Sequence, residues 1–94
     1  MNYFIAKVLD FNCKYESEDI FMVESPTMKA AEERVNDILK HEWRGNAQVE
    51  STETGTIFYF FDGEMSAKLK ELTPIEKSTG LDLKLKGILP LYHA

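Results

Sequence analysis

The alternation of apolar and polar positions predicts a sheet in the first part of the chain. Residues 2–12 carry apolar side chains on both sides of an extended segment, as in a strand that is covered twice. Residues 12–19 are polar and indicate a loop, and residues 20–23 read as a second short strand. Residues 2–24 are therefore expected to form an antiparallel pair.

A helix is predicted from Met28 to Trp43. Its apolar residues recur at the three- and four-residue spacing of one helical face, and its charged residues occupy the other face. The segment Ser25-Pro26-Thr27 supplies a capping hydroxyl and a first-turn proline, and Gly45 ends the helix.

The segment Thr56–Glu64 contains the clearest local signal. Five apolar residues at 57–61 lead into Asp62-Gly63, the dipeptide that suits a two-residue type I′ turn. We expect residues 64–72 to return as a strand, because a hairpin needs a second arm. The strong helix formers in that segment leave a helix open as the alternative.

The remaining elements are a short strand at 47–51, a turn at 76–80, and an alternating strand at 81–86 in which Gly87 marks a bulge. We therefore predict one α+β domain that spans residues 1–94. Its antiparallel sheet has five or six strands in the order ββαββ(β), and one main amphipathic helix packs on one face.

The predicted hairpin divides its side chains between two faces. If Phe60 lies opposite Met65 and Phe58 opposite Ala67, these residues, Leu69 and the leucines at 81, 83 and 85 face the helix. The other face then carries Ile57, Tyr59 and Phe61. Two interpretations stay open: the N-terminal strands cover these three side chains, or they form a homodimer or partner surface.

Four lysines are expected on that same outer face. Pairing of 64–72 with 81–86 sets Lys70 near Lys84 and Lys68 near Lys86. Like charges opposite one another are mildly destabilising. The cluster is interpreted either as a solvated, protected edge or as a site that steers an acidic partner. Tyr59 and Phe61 on the same face are suited to stack on bases. Nucleic acid is nevertheless the less favoured partner.

The charge distribution weighs against nucleic acid in the first part of the chain. The net charge is −5, with −6 in residues 1–63 and +1 in residues 64–94. A single cysteine, Cys13, forms no internal disulfide and fits a reducing compartment. The sequence shows neither a bilayer-spanning apolar run nor a signal-peptide pattern, so we expect a cytoplasmic protein without a membrane partner.

No pattern in the sequence indicates catalysis, a metal site or a cofactor. His41 and His93 lack metal-ligand spacing, and Cys13 has no histidine nearby in sequence. Glu32 and Glu33 are adjacent, so their side chains diverge on a helix and form no catalytic dyad. We therefore predict that the protein is not an enzyme.

A resemblance covers most of the chain. The segments Thr27–Val35 and Thr56–Phe61, together with Ala67-Lys68-Leu69 and Glu76-Lys77-Ser78, are similar to a family of uncharacterised small proteins from Bacteroides-type bacteria and their phages. The resemblance implies a phage or mobile-element origin and carries no active-site residues.

These observations predict a small non-enzymatic accessory or regulatory protein that binds another protein, or a second copy of itself. The predicted partner-binding residues are Ile57, Tyr59 and Phe61 as apolar anchors and Lys68, Lys70, Lys84 and Lys86 as steering charges. The alternative is a weak nucleic-acid-binding module that uses the same lysine and aromatic face.

Overall fold

Six strands form one open sheet in the computed structural model, which describes residues 1–94. The strands are β1 (Asn2–Asn12), β2 (Tyr15–Ser25), β3 (Gln48–Thr52), β4 (Gly55–Phe60), β5 (Met65–Ile75) and β6 (Leu91–His93). The helices are α1 (Met28–Asp37), which continues into a π-helical turn at Ile38–Glu42, and α2 (Lys77–Lys86). The spatial order is β3-β4-β5-β1-β2-β6, and only the β2–β6 pair is parallel. The predicted α+β class is confirmed.

The long strand β1 organises the sheet. It pairs with β2 along its full length and with β5 on its other side, where the register shifts between Lys7 and Val8. Phe4, Ala6 and Val8 are buried toward α1, as strand alternation requires. Because β1 and β2 extend the sheet beyond β5, they do not fold over the β4–β5 hairpin.

The predicted loop at residues 12–19 is wrong. β2 begins at Tyr15, and a two-residue turn at Cys13-Lys14 connects it to β1. Residues 15–18 are exposed, so their polarity reflects solvent on both faces at this end of the sheet. Pairing with β1 makes this polar segment a strand, and polarity alone does not reveal that pairing.

The predicted β4–β5 hairpin is confirmed. Phe58 lies opposite Ala67 and Phe60 opposite Met65. Asp62 and Gly63 have φ values of 57° and 90°, and the Glu64 N–H donates to the Phe61 carbonyl at 3.2 Å, as in a type I′ turn. Residues 65–75 are therefore a strand, and the helical alternative is excluded.

The predicted helix is also confirmed, with a change of pitch near its end. The Thr27 hydroxyl accepts a hydrogen bond from the Ala30 N–H at 3.1 Å and caps α1. The Trp43 N–H donates to the Ile38 carbonyl at 2.8 Å, which is the wider spacing of a π-helical turn. The helix buries its apolar side against the sheet through Ala31, Val35, Ile38 and Leu39.

The predicted turn at 76–80 and strand at 81–86 are wrong, because residues 77–86 form α2. Leucine and lysine are good helix formers, so this segment supports a helix despite its alternation. Gly87 is not a bulge: at φ +63° it takes the left-handed conformation that ends the helix. The sixth strand is instead β6, where Leu91 pairs with Met22.

Contacts from α1 hold β6 in place. The Arg34 Nε donates to the His93 carbonyl at 2.8 Å, and its guanidinium lies 5.8 Å from the centre of the Tyr92 ring. Tyr92 in turn meets the buried Phe21 edge-on at 5.1 Å.

Neither helix of the chain combines the length and the apolar character that crossing a membrane requires.

Candidate binding surface

The two faces of the sheet are covered unequally. On one face α1 and the sheet together form a cluster of twelve buried residues. On the other face α2 covers one end, where an added Cβ on Gly80 would lie 2.3 Å from Cγ of the Tyr3 ring. The far half of this second face carries apolar side chains that remain partly exposed, and we call it the open face: Leu9, Phe11, Ile20, Ile57 and Tyr59.

Strand pairing places a polar strip of β5 between the apolar side chains of β4 and those of β1. Lys68 on β5 lies between Ile57 on β4 and Leu9 on β1. One step along the strands, Ser66 lies between Tyr59 and Phe11 in the same way. Phe11 and Ile20 are each 41% exposed, which is a large fraction for apolar side chains on two paired strands.

Ile57 and Tyr59 lie where the alternation predicts, on the face opposite α1. Their neighbours Phe58 and Phe60 are each 2% exposed beneath the helix, whereas Ile57 and Tyr59 are half-buried. The interpretation in which the N-terminal strands cover them is wrong, because β1 lies beside β5 in the same sheet.

Phe61 does not continue the strand. Its φ of 52° is left-handed, which costs a bulky residue roughly 1–2 kcal/mol, and its side chain is 60% exposed. The other non-glycine residues with positive φ, Cys13 and Asp62, lie beside it, because the Cys13 N–H donates to the Glu64 carbonyl at 3.1 Å. The two hairpin tips therefore adjoin at the end of the open face.

The lysines on β5 are held by polar groups of the same chain. Lys68 Nζ donates to the Thr54 hydroxyl at 2.9 Å, and Lys70 Nζ donates to Glu18 Oε2 at 3.0 Å. The hydrogen bond and charge of Glu18 raise the pKa of Lys70. A further cross-strand pair joins Lys7 Nζ to Glu71 at 3.7 Å. The open face thus combines apolar side chains on β4 and β1 with charges of both signs on and beside β5.

The predicted proximity of Lys84 and Lys86 to Lys68 and Lys70 is wrong, because it required a strand at 81–86. Both residues lie on α2, where Lys84 Nζ is 3.6 Å from Glu24 Oε1 and Lys86 pairs with Asp82 one helical turn away at 3.0 Å. The structure therefore brings Ile57, Tyr59 and Lys68 together on one face and does not form a four-lysine cluster.

Sequence reasoning missed Leu9, Phe11 and Ile20 as members of this face. The alternation in residues 2–12 shows that β1 is apolar on both sides, and this pattern indicates that Leu9 and Phe11 belong to an apolar face. Their position beside Ile57 and Tyr59 depends on β5 pairing with β1 across a long stretch of chain, and no local pattern encodes that pairing.

Two polar clusters lie outside the open face. The Tyr3 hydroxyl donates to the Glu24 carboxylate, whose Oε1 lies 3.2 Å from the His93 Nδ1. The Tyr3 hydrogen bond, with Lys84 and His93, lowers the pKa of Glu24. On the α1 face, Arg44 binds both carboxylate oxygens of Asp10 at 2.6 and 2.5 Å.

Asp19 shares the second of these clusters. Burial and a hydrogen bond with Asp10 raise the pKa of Asp19, and Arg44 opposes that rise. The Arg44 guanidinium thereby neutralises the buried Asp10 carboxylate in an ion pair that joins two parts of the fold.

The chain's histidines and cysteine lie apart. His41 Nδ1 is 3.3 Å from Asn46 Oδ1, His93 contacts Glu24, and the exposed Cys13 thiol is 3.7 Å from the Glu64 carbonyl oxygen. No group of three or more His, Cys, Asp and Glu side chains is placed to hold a metal ion.

Comparisons with protein-family models, curated proteins and solved structures found no match. The chain's own geometry therefore carries the functional argument.

Proposed function

We propose that this chain is a non-enzymatic binding protein that docks a protein partner on the open face. The observation that carries the proposal is the pair of apolar stripes, Ile57 with Tyr59 on β4 and Leu9 with Phe11 on β1, on the half of the sheet that α2 leaves uncovered. Aromatic and aliphatic side chains within a charged rim are typical of protein–protein interfaces.

The charges around the open face favour a protein over a nucleic acid. Lys70 is paired with Glu18, and Lys7 is paired with Glu71, so these lysines are partly neutralised before any ligand arrives. Glu50 lies opposite Ile57 on the neighbouring strand β3 and adds a negative charge at the rim. A phosphate backbone would meet both signs of charge, whereas a protein surface can complement both.

The resemblance to proteins of Bacteroides-type bacteria and their phages supports the choice of a first source of partners. We propose an accessory or regulatory role in such a bacterium or phage, with the partner recruited through Tyr59 and its neighbours.

The test is affinity capture from a lysate of such a bacterium with wild-type protein and two variants. Tyr59→Ser removes an aromatic side chain from the open face. Tyr15→Ser removes one that is 78% exposed at the tip of the β1–β2 hairpin, so it is the matched control. We expect a protein partner that the wild type and Tyr15→Ser recover and that Tyr59→Ser recovers at least about tenfold less well.

The oligomeric state of the purified protein distinguishes a second copy from a different partner. If the wild type sediments as a dimer and Tyr59→Ser as a monomer, the second copy is the occupant of the open face. If the wild type is a monomer and all three baits recover the same proteins, the proposed function is wrong.

A further inference from the structure

Strand β3 is an outer strand with no neighbour on its far side. It pairs with β4 around a two-residue turn, and Thr52 lies opposite Gly55 as the pair that flanks the turn. In an antiparallel pair the bonded positions alternate, so the backbone N–H and C=O groups of Val49 and Ser51 point away from β4. These groups form a free hydrogen-bonding edge.

A groove follows that edge on the α1 side of the sheet. Its volume is about 340 Å³, and Val49 and Ser51 line it together with Thr56 and Phe58 of β4. Val49 is 47% exposed and, with the buried Phe58, forms the apolar part of a groove whose other lining residues are polar or charged. A strand added to β3 would place alternate side chains in this groove.

The two ends of the groove carry opposite charges. The Ala47 N–H donates to the Lys40 carbonyl at 2.9 Å, which fixes Lys40 near the start of β3. Glu33 lies almost two helical turns earlier, roughly 10 Å along the axis, and therefore toward the Ser51 end. Neither side chain has an ion-pair partner in the chain, whereas Asp37 between them is bound to Arg34 at 3.1 Å.

A second copy of the chain does not suit this edge. Two β3 strands paired about a two-fold axis at their centre would set Glu50 directly opposite Glu50 of the copy, because Glu50 is the middle residue of Gln48–Thr52. Like charges directly opposite one another destabilise a strand pair. The occupant that fits is an extended segment of another protein.

We propose that β3 and its groove bind an extended peptide that pairs antiparallel to β3. The peptide carries a basic, an apolar and an acidic side chain at alternate positions, in that order from its N-terminus. Its basic residue lies by Glu33, its apolar residue over Val49 and Phe58, and its acidic residue by Lys40. This surface is separate from the open face, so its failure leaves the proposed function untouched.

The probes are two blocked heptapeptides of identical composition, TKTVTET and its reverse, TETVTKT. Each is titrated into ¹⁵N-labelled protein, and the amide shifts of Val49 and Ser51 report binding at the edge. We expect TKTVTET to bind and to shift these two amides, and TETVTKT to bind about threefold to tenfold less tightly, as two surface ion pairs allow.

A charge-swapped protein, Glu33→Lys with Lys40→Glu, provides the decisive comparison. Both side chains are exposed, so the swap leaves the core unchanged. It should reverse the preference between the two peptides. The variant Glu32→Lys is the matched control, since Glu32 adjoins Glu33 in sequence but does not line the groove.

A backbone variant tests the strand pairing itself. Ser51→Pro removes one outward N–H from an outer strand, a position where proline is tolerated. It should weaken TKTVTET by on the order of tenfold, while Ser51→Ala binds as the wild type does.

Three results would overturn the proposal. These are a Kd for TKTVTET weaker than roughly 1 mM, an equal affinity for both peptides in the wild-type and swapped proteins, and unchanged binding by Ser51→Pro.

Discussion

At Gly80, α2 packs closely against Tyr3 of β1. A Cβ at this position would lie 2.3, 2.4 and 2.7 Å from three carbon atoms of Tyr3, well inside van der Waals contact. Tyr3 is 3% exposed and cannot swing into solvent without leaving its site. The absence of a side chain at Gly80 therefore sets the distance between α2 and β1.

Replacing Gly80 with alanine sets two effects against each other. The helical propensity of alanine favours α2 by about 1 kcal/mol, while overpacking against Tyr3 costs about 1–3 kcal/mol. We expect the clash to dominate, so Gly80→Ala should lower the free energy of unfolding in urea by about 1 kcal/mol. Thr79→Ala, at an exposed neighbour, should be neutral or slightly stabilising. A Gly80→Ala protein as stable as the wild type would contradict this packing.

The Tyr3–Glu24 hydrogen bond makes stability depend on pH. It lowers the pKa of Glu24 below its ordinary value of 4.5, with Lys84 and His93 adding to the effect and burial opposing it. A carboxylate with a lowered folded-state pKa stabilises fully above its unfolded pKa, and that stabilisation is lost as the pH falls through the folded value. Asp19, whose pKa is raised, acts in the opposite direction.

Comparison with Tyr3→Phe isolates the Glu24 contribution, because Asp19 affects both proteins equally. We expect Tyr3→Phe to be less stable than the wild type near neutral pH. The difference in stability should shrink between about pH 6 and pH 3, measured by urea unfolding at each pH. Tyr15→Phe, at an exposed tyrosine, should follow the wild-type curve. Parallel curves for wild type and Tyr3→Phe would show that Tyr3 does not affect the titration of Glu24.

At the scale of elements, one ion pair joins the end of the helix to the central strand. Arg44 follows the π-helical turn, binds both oxygens of Asp10 on β1 and lies 5.8 Å from the centre of the Phe60 ring. Asp10 is 5% exposed and adjoins Asp19, so it depends on this guanidinium for compensation.

Arg44→Ala should therefore destabilise the protein by about 1–3 kcal/mol, because it leaves the Asp10 carboxylate buried without a partner. Arg44→Lys should recover only part of that loss, since an ammonium cannot match the two parallel hydrogen bonds of a guanidinium. Thermal unfolding of the three proteins provides the measurement. Equal stability of Arg44→Ala and the wild type would show that solvent already compensates Asp10.

Elements whose shape is set by neighbouring residues were predicted well from the sequence. The Asp62-Gly63 turn and the Thr27 cap act within a few residues, so α1 and the β4–β5 hairpin follow from local chemistry. The strand predicted at 81–86 is wrong because the alternation of leucine with charged residues there suits a helix as well as a strand. The sequence does not predict the start of β2, because its first residues are polar and form a strand only by pairing with β1.

In the candidate site too, local sequence predicts some residues, and the position of others depends on distant strand pairing. Alternation along β4 was enough to place Ile57 and Tyr59 on the face away from α1. The lysine cluster depended on the structure of residues 81–86, and it fails once that segment is α2. Leu9, Phe11 and Ile20 join the face through the β5–β1–β2 neighbourhood, which is a property of the whole sheet.

At the scale of the molecule, the long axis follows the sheet's longest strands. The molecule measures 41 × 23 × 21 Å, and the eleven residues of β1 span roughly 37 Å when extended. α2 packs over Tyr3, and its ten residues form a helix about 15 Å long. It therefore does not reach the far end of that axis. The open face is the part of the sheet that this short helix leaves uncovered.

We expect a protein to occupy this open face. The most direct measurement is photocrosslinking in a bacterial lysate with p-benzoylphenylalanine in place of Tyr59, and in place of Tyr15 as the control. Both substitutions keep an aromatic side chain, so the fold is conserved. We expect a discrete crosslinked protein band from position 59, either a second copy or another protein, and none from position 15. No adduct from position 59, or the same adducts from both positions, would contradict it.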